Sequence, residues 1–136
     1  MRTLALLALL SASSAFAASS AFAASEADRE KAFKADIAPL LEKSCANCHD
    51  PKKAKNGKVK SGFNSSSLAD VIKGGTDDGV GITWGDASKS SLYKSVNMAL
   101  TDPEHDDAMP PKKSQEKNPP LTKEQVAKIK AFIEAK

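Results

Sequence analysis

Two cysteines three positions apart, with a histidine directly behind the second, constrain this chain more than any other feature: Cys45-Ala46-Asn47-Cys48-His49. On one helical turn this spacing brings two sulfurs and an imidazole to a single flat group, and the pattern is the attachment signature of a c-type haem. The chemistry accounts for each residue type. Thiols add to the two vinyl groups of a porphyrin to give thioethers, and a neutral imidazole nitrogen makes a strong axial bond to iron. A redox dithiol or half of a zinc site would also begin with Cys-x-x-Cys. Zinc usually takes four Cys or His ligands, whereas the chain has two Cys and two His, the second being His105 far downstream. A dithiol needs no His behind it, and no strand, helix, strand pattern surrounds this one. One covalently bound haem c is the expected cofactor, with Cys45 and Cys48 as its thioethers and His49 on the iron.

Residues 1–23 read as a secretory leader. Arg2 is followed by an apolar run over 4–10 and then by small residues, with candidate cuts after Ala17 and Ala23. The unit SSAFAA occurs twice in succession, which is why there are two such sites. Export suits the motif, because outside the cytoplasm both cysteines persist only as a disulfide or as thioethers. A periplasmic address is expected. No later apolar run approaches the roughly 20 residues that span a bilayer, so no membrane span is expected.

With the leader gone about 110 residues remain, enough for one small domain, divided here into a lead-in helix over 24–36 and a domain over 37–136. Aromatic residues make up 5% of the chain, so a self-sufficient apolar core is hard to build, and small domains commonly lean on a cofactor. A buried porphyrin would supply the missing core, and the haem-free chain is expected to be largely unfolded. Net charge is +3, falling to about +2 without Arg2, which argues against a nucleic-acid partner that would want a strongly basic face.

Helical periodicity recurs along the chain. Phe33, Ile37, Leu40 and Leu41 share one face over 26–44, with a kink or break expected at Pro39. Leu68, Val71 and Ile72 point inward over 65–73, stopped by Gly74-Gly75, and a flexible Gly-rich stretch follows to Gly85. Leu92, Val96 and Leu100 recur four apart over 88–100, with Asp86 as a cap. Residues 101–120 read as a long loop. Thr122 and Gln125 form a capping box, Leu121 staples to Val126, and Val126, Ile129, Phe132 and Ile133 make the buried stripe of the last helix.

A haem on His49 leaves a second axial position, for which Met98, Met109 and His105 are the candidates. Met98 falls inside a helix, where a packing role is the simpler reading. His105 stands among Asp102, Glu104, Asp106 and Asp107, which favour its charged, non-ligating form. Met109 is held out of helix by Pro110 and stiffened by Pro111, so it is either a pre-set ligand or a surface methionine in a proline-rich loop.

Taken together, Cys45-Ala46-Asn47-Cys48-His49, Gly74-Gly75, Ser91-Leu92-Tyr93, Met109-Pro110-Pro111 and the closing Leu121-Thr122-Lys123-Glu124-Gln125 helix with Phe132-Ile133 resemble the planctomycete-type cytochrome c domain of the class I cytochrome c superfamily. Asp50, Trp84-Gly85-Asp86 and Phe132 depart from the residues common in that family. The resemblance implies an all-α fold, a small cytochrome c-like helical domain wrapped around one covalently attached haem, with first and last helices packed together. It implies thioethers at Cys45 and Cys48, proximal ligation by His49 and distal ligation by Met109.

With both axial positions filled, the remaining task is to carry one electron, as a monomer docking to redox partner proteins and not as an enzyme. Lys52, Lys53, Lys55, Lys58 and Lys60, with Lys112 and Lys113, are the candidate docking residues, or else a solvated loop. A haem peroxidase or gas-binding sensor with a displaceable distal ligand is the alternative. Trp84 is a candidate donor to a haem propionate, beside its simpler role as a packing residue.

Overall fold

A computed structural model describes residues 24–135, so the leader expected over 1–23 lies outside the described residues. The apolar periodicity over 26–44 produces helix in two pieces joined by a wider turn. Helix α1, Glu26–Ala32, starts at Ser25, whose side chain accepts from the Asp28 N–H at 3.2 Å. A π-helical turn over Phe33–Ile37 leads into α2, Ala38–Ser44, with Pro39 in its first turn. The interruption expected at Pro39 therefore falls just before it. Proline has no N–H and crowds the carbonyl four residues back. The wider turn, closed by the Ala38 N–H on the Phe33 carbonyl, absorbs that conflict and buries both Phe33 and Ile37.

Helix α3, Ala46–His49, carries the attachment motif. Helix α4, Leu68–Lys73, begins later than the periodicity suggests: Ser67 caps it, while the Ser65 N–H donates at 2.7 Å to the His49 carbonyl. The Gly-rich stretch is not a slack linker. Gly74 ends α4 at φ +81, and a Cβ at Gly81 would run into the Val71 carbonyl, so backbone lies directly on backbone here. N–H groups of Gly81 and Ile82 both donate to the Ile72 carbonyl.

Asp86 caps a 3-10 turn over Ala87–Lys89, and helix α5 follows as Ser91–Thr101. The first donors of α5 are met by the loop, Ser91 N–H on the Val80 carbonyl at 3.0 Å and Leu92 N–H on that of Gly81 at 3.2 Å. On its inner face Leu92, Val96 and Ala99 are buried and Leu100 is exposed, a correction to the expected stripe. The loop over 101–120 contains a 3-10 turn at Lys112–Ser114 and closes on itself through local bonds. Helix α6, Lys123–Glu134, has the capping box from both sides, and Leu121 and Val126 are both buried.

No strand occurs among the described residues, and the fold is all-α. Phe33, Ile37, Leu41, Leu68, Val71, Ile82, Leu92, Val96, Leu121, Val126, Ile129 and Ile133 form one core, so the lead-in segment packs into the same body as the rest. The first and last helical segments meet through Phe33 and Phe132, ring centroids 6.2 Å apart, and through Lys128 to Asp36 at 3.1 Å. No helix among the described residues is long and apolar enough to cross a membrane.

Candidate haem-binding site

Helix α3 is too short to stand alone and is held by what surrounds it. The Cys45 N–H donates to the Leu41 carbonyl at 2.8 Å, continuing α2, and the His49 carbonyl accepts from both the N–H and the hydroxyl of Ser65. Asp50 then turns the chain away, its Oδ1 accepting the Lys52 N–H at 2.8 Å. Both cysteines are free and half-buried.

Two clefts flank this helix. The larger is lined by Cys45, His49, Phe63, Leu92, Val96 and Met109 among others, with Ser61, Asp78, Ser91 and Ser95 also in its walls. The smaller runs between Cys45, Cys48, His49, Met109, Pro110, Pro111 and Asn118. Cys45, His49 and Met109 belong to both walls, although Met109 lies sixty residues beyond His49 in the chain.

The His49 ring is oriented by its neighbours. Nδ1 lies 3.3 Å from the Phe63 carbonyl, which only an N–H at Nδ1 can satisfy, and that tautomer leaves Nε2 with a free lone pair. The Phe63 ring stands edge-on to the imidazole, centroids 5.2 Å apart. Burial lowers the His49 pKa below its usual 6.5, against the carbonyls of Phe63 and Lys60, which pull the other way. The imidazole is thus kept neutral, as a metal ligand must be. Burial, with Cys48 beside it, pushes the Cys45 thiol up from 9.0 to about 12. A redox dithiol is tuned in the opposite direction, toward an acidic and nucleophilic thiol.

The donor set fits a haem c: two unpaired cysteines at the cap and within α3, an imidazole with Nε2 free, a thioether in the same walls, and apolar surface from Phe63, Leu92 and Val96 for a flat ring. His105 does not join it. That side chain is exposed and its Nδ1 accepts the Asp107 N–H at 3.1 Å. No group of three His, Cys, Asp or Glu suited to a metal ion occurs among the described residues. Met98 lines a neighbouring polar groove with Asp77, Lys94 and Asp107 and is absent from the walls of the two clefts.

Trp84 takes the simpler of its two expected roles. It packs against Phe132 at 5.3 Å and under the Arg29 guanidinium at 4.2 Å, between α1 and α6, and lines neither cleft, so it serves the helix contact. The five lysines of the 52–60 loop are all exposed, with Lys53 paired to Glu42. Two contributors escaped the sequence: Phe63, whose carbonyl holds His49, and Asn118, which walls the smaller cleft. A backbone carbonyl has no residue-type signature, and a single Asn in a polar loop carries none either.

An all-α chain whose attachment motif and methionine loop share one cleft is a c-type cytochrome. The family model for Planctomycete cytochrome C matches residues 45–113, and the chain belongs to that family, with the haem c binding and electron transfer that this membership implies. Comparison with curated proteins and with solved structures found no match.

Proposed function

We propose that this chain is a periplasmic monohaem electron carrier, its haem c joined through Cys45 and Cys48 and its iron held between His49 and Met109. The observation that carries the reading is the cleft wall shared by Cys45, His49 and Met109, with Nδ1 of His49 committed to the Phe63 carbonyl. Bound haem supplies an iron that gains and loses one electron. His49 offers Nε2 because its other nitrogen is occupied, and that outer bond also strengthens the imidazole as a donor. Met109 supplies a thioether, which raises the reduction potential and leaves no open coordination position. Phe63, Leu92 and Val96 keep the cleft apolar, and none of the residues lining it is a second His or an Arg that would assist peroxide cleavage.

Docking through Lys52, Lys53, Lys55, Lys58 and Lys60 to an acidic redox partner completes the proposal. Their exposure on the loop that leaves α3 supports it. The test is an absorption spectrum and denatured mass of protein matured in a host that attaches haem c, compared with Met109→Ala. One porphyrin retained after denaturation, with a spectrum that changes on loss of Met109, is the expected result. A mass without added porphyrin defeats the proposal, and an unchanged spectrum defeats the distal assignment.

A further inference from the structure

Asn118 is a buried carboxamide in the loop after Met109, and one of its two partners lies outside that loop. Its Nδ2 donates to the Ser114 carbonyl at 3.3 Å, which fixes the amide's orientation and turns Oδ1 away from the loop. That oxygen accepts from Nδ2 of Asn47 at 2.9 Å, and Asn47 directly precedes Cys48. Within the loop, the Ser114 hydroxyl donates to the Pro111 carbonyl at 2.9 Å and Gln115 Nε2 to that of Pro110 at 3.1 Å. On the other flank the Met109 N–H donates to the Ser95 carbonyl of α5 at 3.0 Å. Met109 therefore sits between an anchor on α5 and a chain of bonds that ends on the attachment helix.

We infer that the Asn47–Asn118 hydrogen bond positions Met109, by tying the loop over 109–118 to α3; this rests on Met109 being the distal ligand, as proposed above. A ligand on a loop holds its metal only as firmly as the loop is held, and a tie made of a buried amide is ordered before the ligand binds. In this role Asn118 acts through Met109. Without the tie, the fraction of molecules with Met109 away from its position rises, and an external ligand that needs that position gains by the same factor.

The probe is carbon monoxide binding to the reduced, haem-loaded protein, measured for wild type, Asn47→Ala, Asn118→Ala, the double variant and Met109→Ala. Expected are fast binding to Met109→Ala and a rise in association rate of about tenfold in each single Asn variant, the usual scale for losing an outer-shell partner. The double variant should bind no faster than the faster single one, because both remove the same bond. Asn47 is exposed, so its variant decides the matter if Asn118→Ala does not load haem. Fast binding to Met109→Ala together with wild-type rates in the Asn variants overturns the inference, including the case where their melting temperatures fall. Wild-type rates in Met109→Ala as well bring down the distal assignment, and the positioning role with it.

Discussion

Asp50 shows how one side chain redirects the chain at the site. It is buried, its carboxylate takes the Lys52 N–H, and its carbonyl takes the N–H groups of Lys53 and Ala54 at 3.0 and 2.7 Å. The turn sends the lysines outward directly behind the attachment helix, which a glycine there would do without such a hold. Ile129 is the opposite case, a core residue without polar duties, fully buried in the core that α6 shares with the π-helical turn, α2 and α5. Ile129→Ala should cost about 2–5 kcal/mol through the cavity it leaves. Chemical denaturation of the haem-loaded protein checks this, with the folded protein's absorption spectrum expected to stay as in wild type, since Ile129 lines neither cleft.

At the scale of elements, the short segments depend on their caps, because helices of this length do not persist on propensity. The Ala87–Lys89 turn is an example with a pH signature. Bonds from Ser88 and Lys89 lower the Asp86 pKa from 3.8 to about 2. A carboxyl that is more acidic in the folded chain stabilises it fully above its unfolded pKa of 3.8, and this contribution fades as the pH falls through about 2. Asp86→Ala should therefore unfold more easily than wild type at neutral pH, and the gap should narrow between pH 4 and 2, roughly the window set by those two values. Thermal melts across that range measure it, and a gap independent of pH would contradict the assignment.

For the molecule as a whole, Leu92 and Val96 belong to the core and Phe63 packs against it, and all three also line the cleft, so a ring held there would extend the same apolar body. Chain produced without haem should show no cooperative thermal transition, while the haem-loaded form should melt sharply; calorimetry on both distinguishes them. The lysine loop gives a second expectation at this scale. Electron transfer to an acidic partner should slow as ionic strength rises toward 0.15 M, where the screening length is about 8 Å. Rates indifferent to salt would leave the five lysines as a solvated loop.

What the sequence determined alone is what local chemistry dictates. The spacing of Cys45, Cys48 and His49 fits the haem-attachment motif within one helical turn. The Thr122 and Gln125 box and the Gly74 stop act over three or four residues, and the apolar period of α6 needs no partner to be recognised. Tertiary structure decided everything that depends on groups far apart in the chain. The Phe63 carbonyl on His49, fourteen residues away, and Asn118 on Asn47, 71 positions away, leave no trace in periodicity or spacing. Neither does the move of Trp84 to the contact between α1 and α6, nor the exposure of Leu100 in a helix whose turn is set by the loop capping it. Hydrogen bonds between distant segments are specified by where a fold brings them, and only the folded chain holds that information.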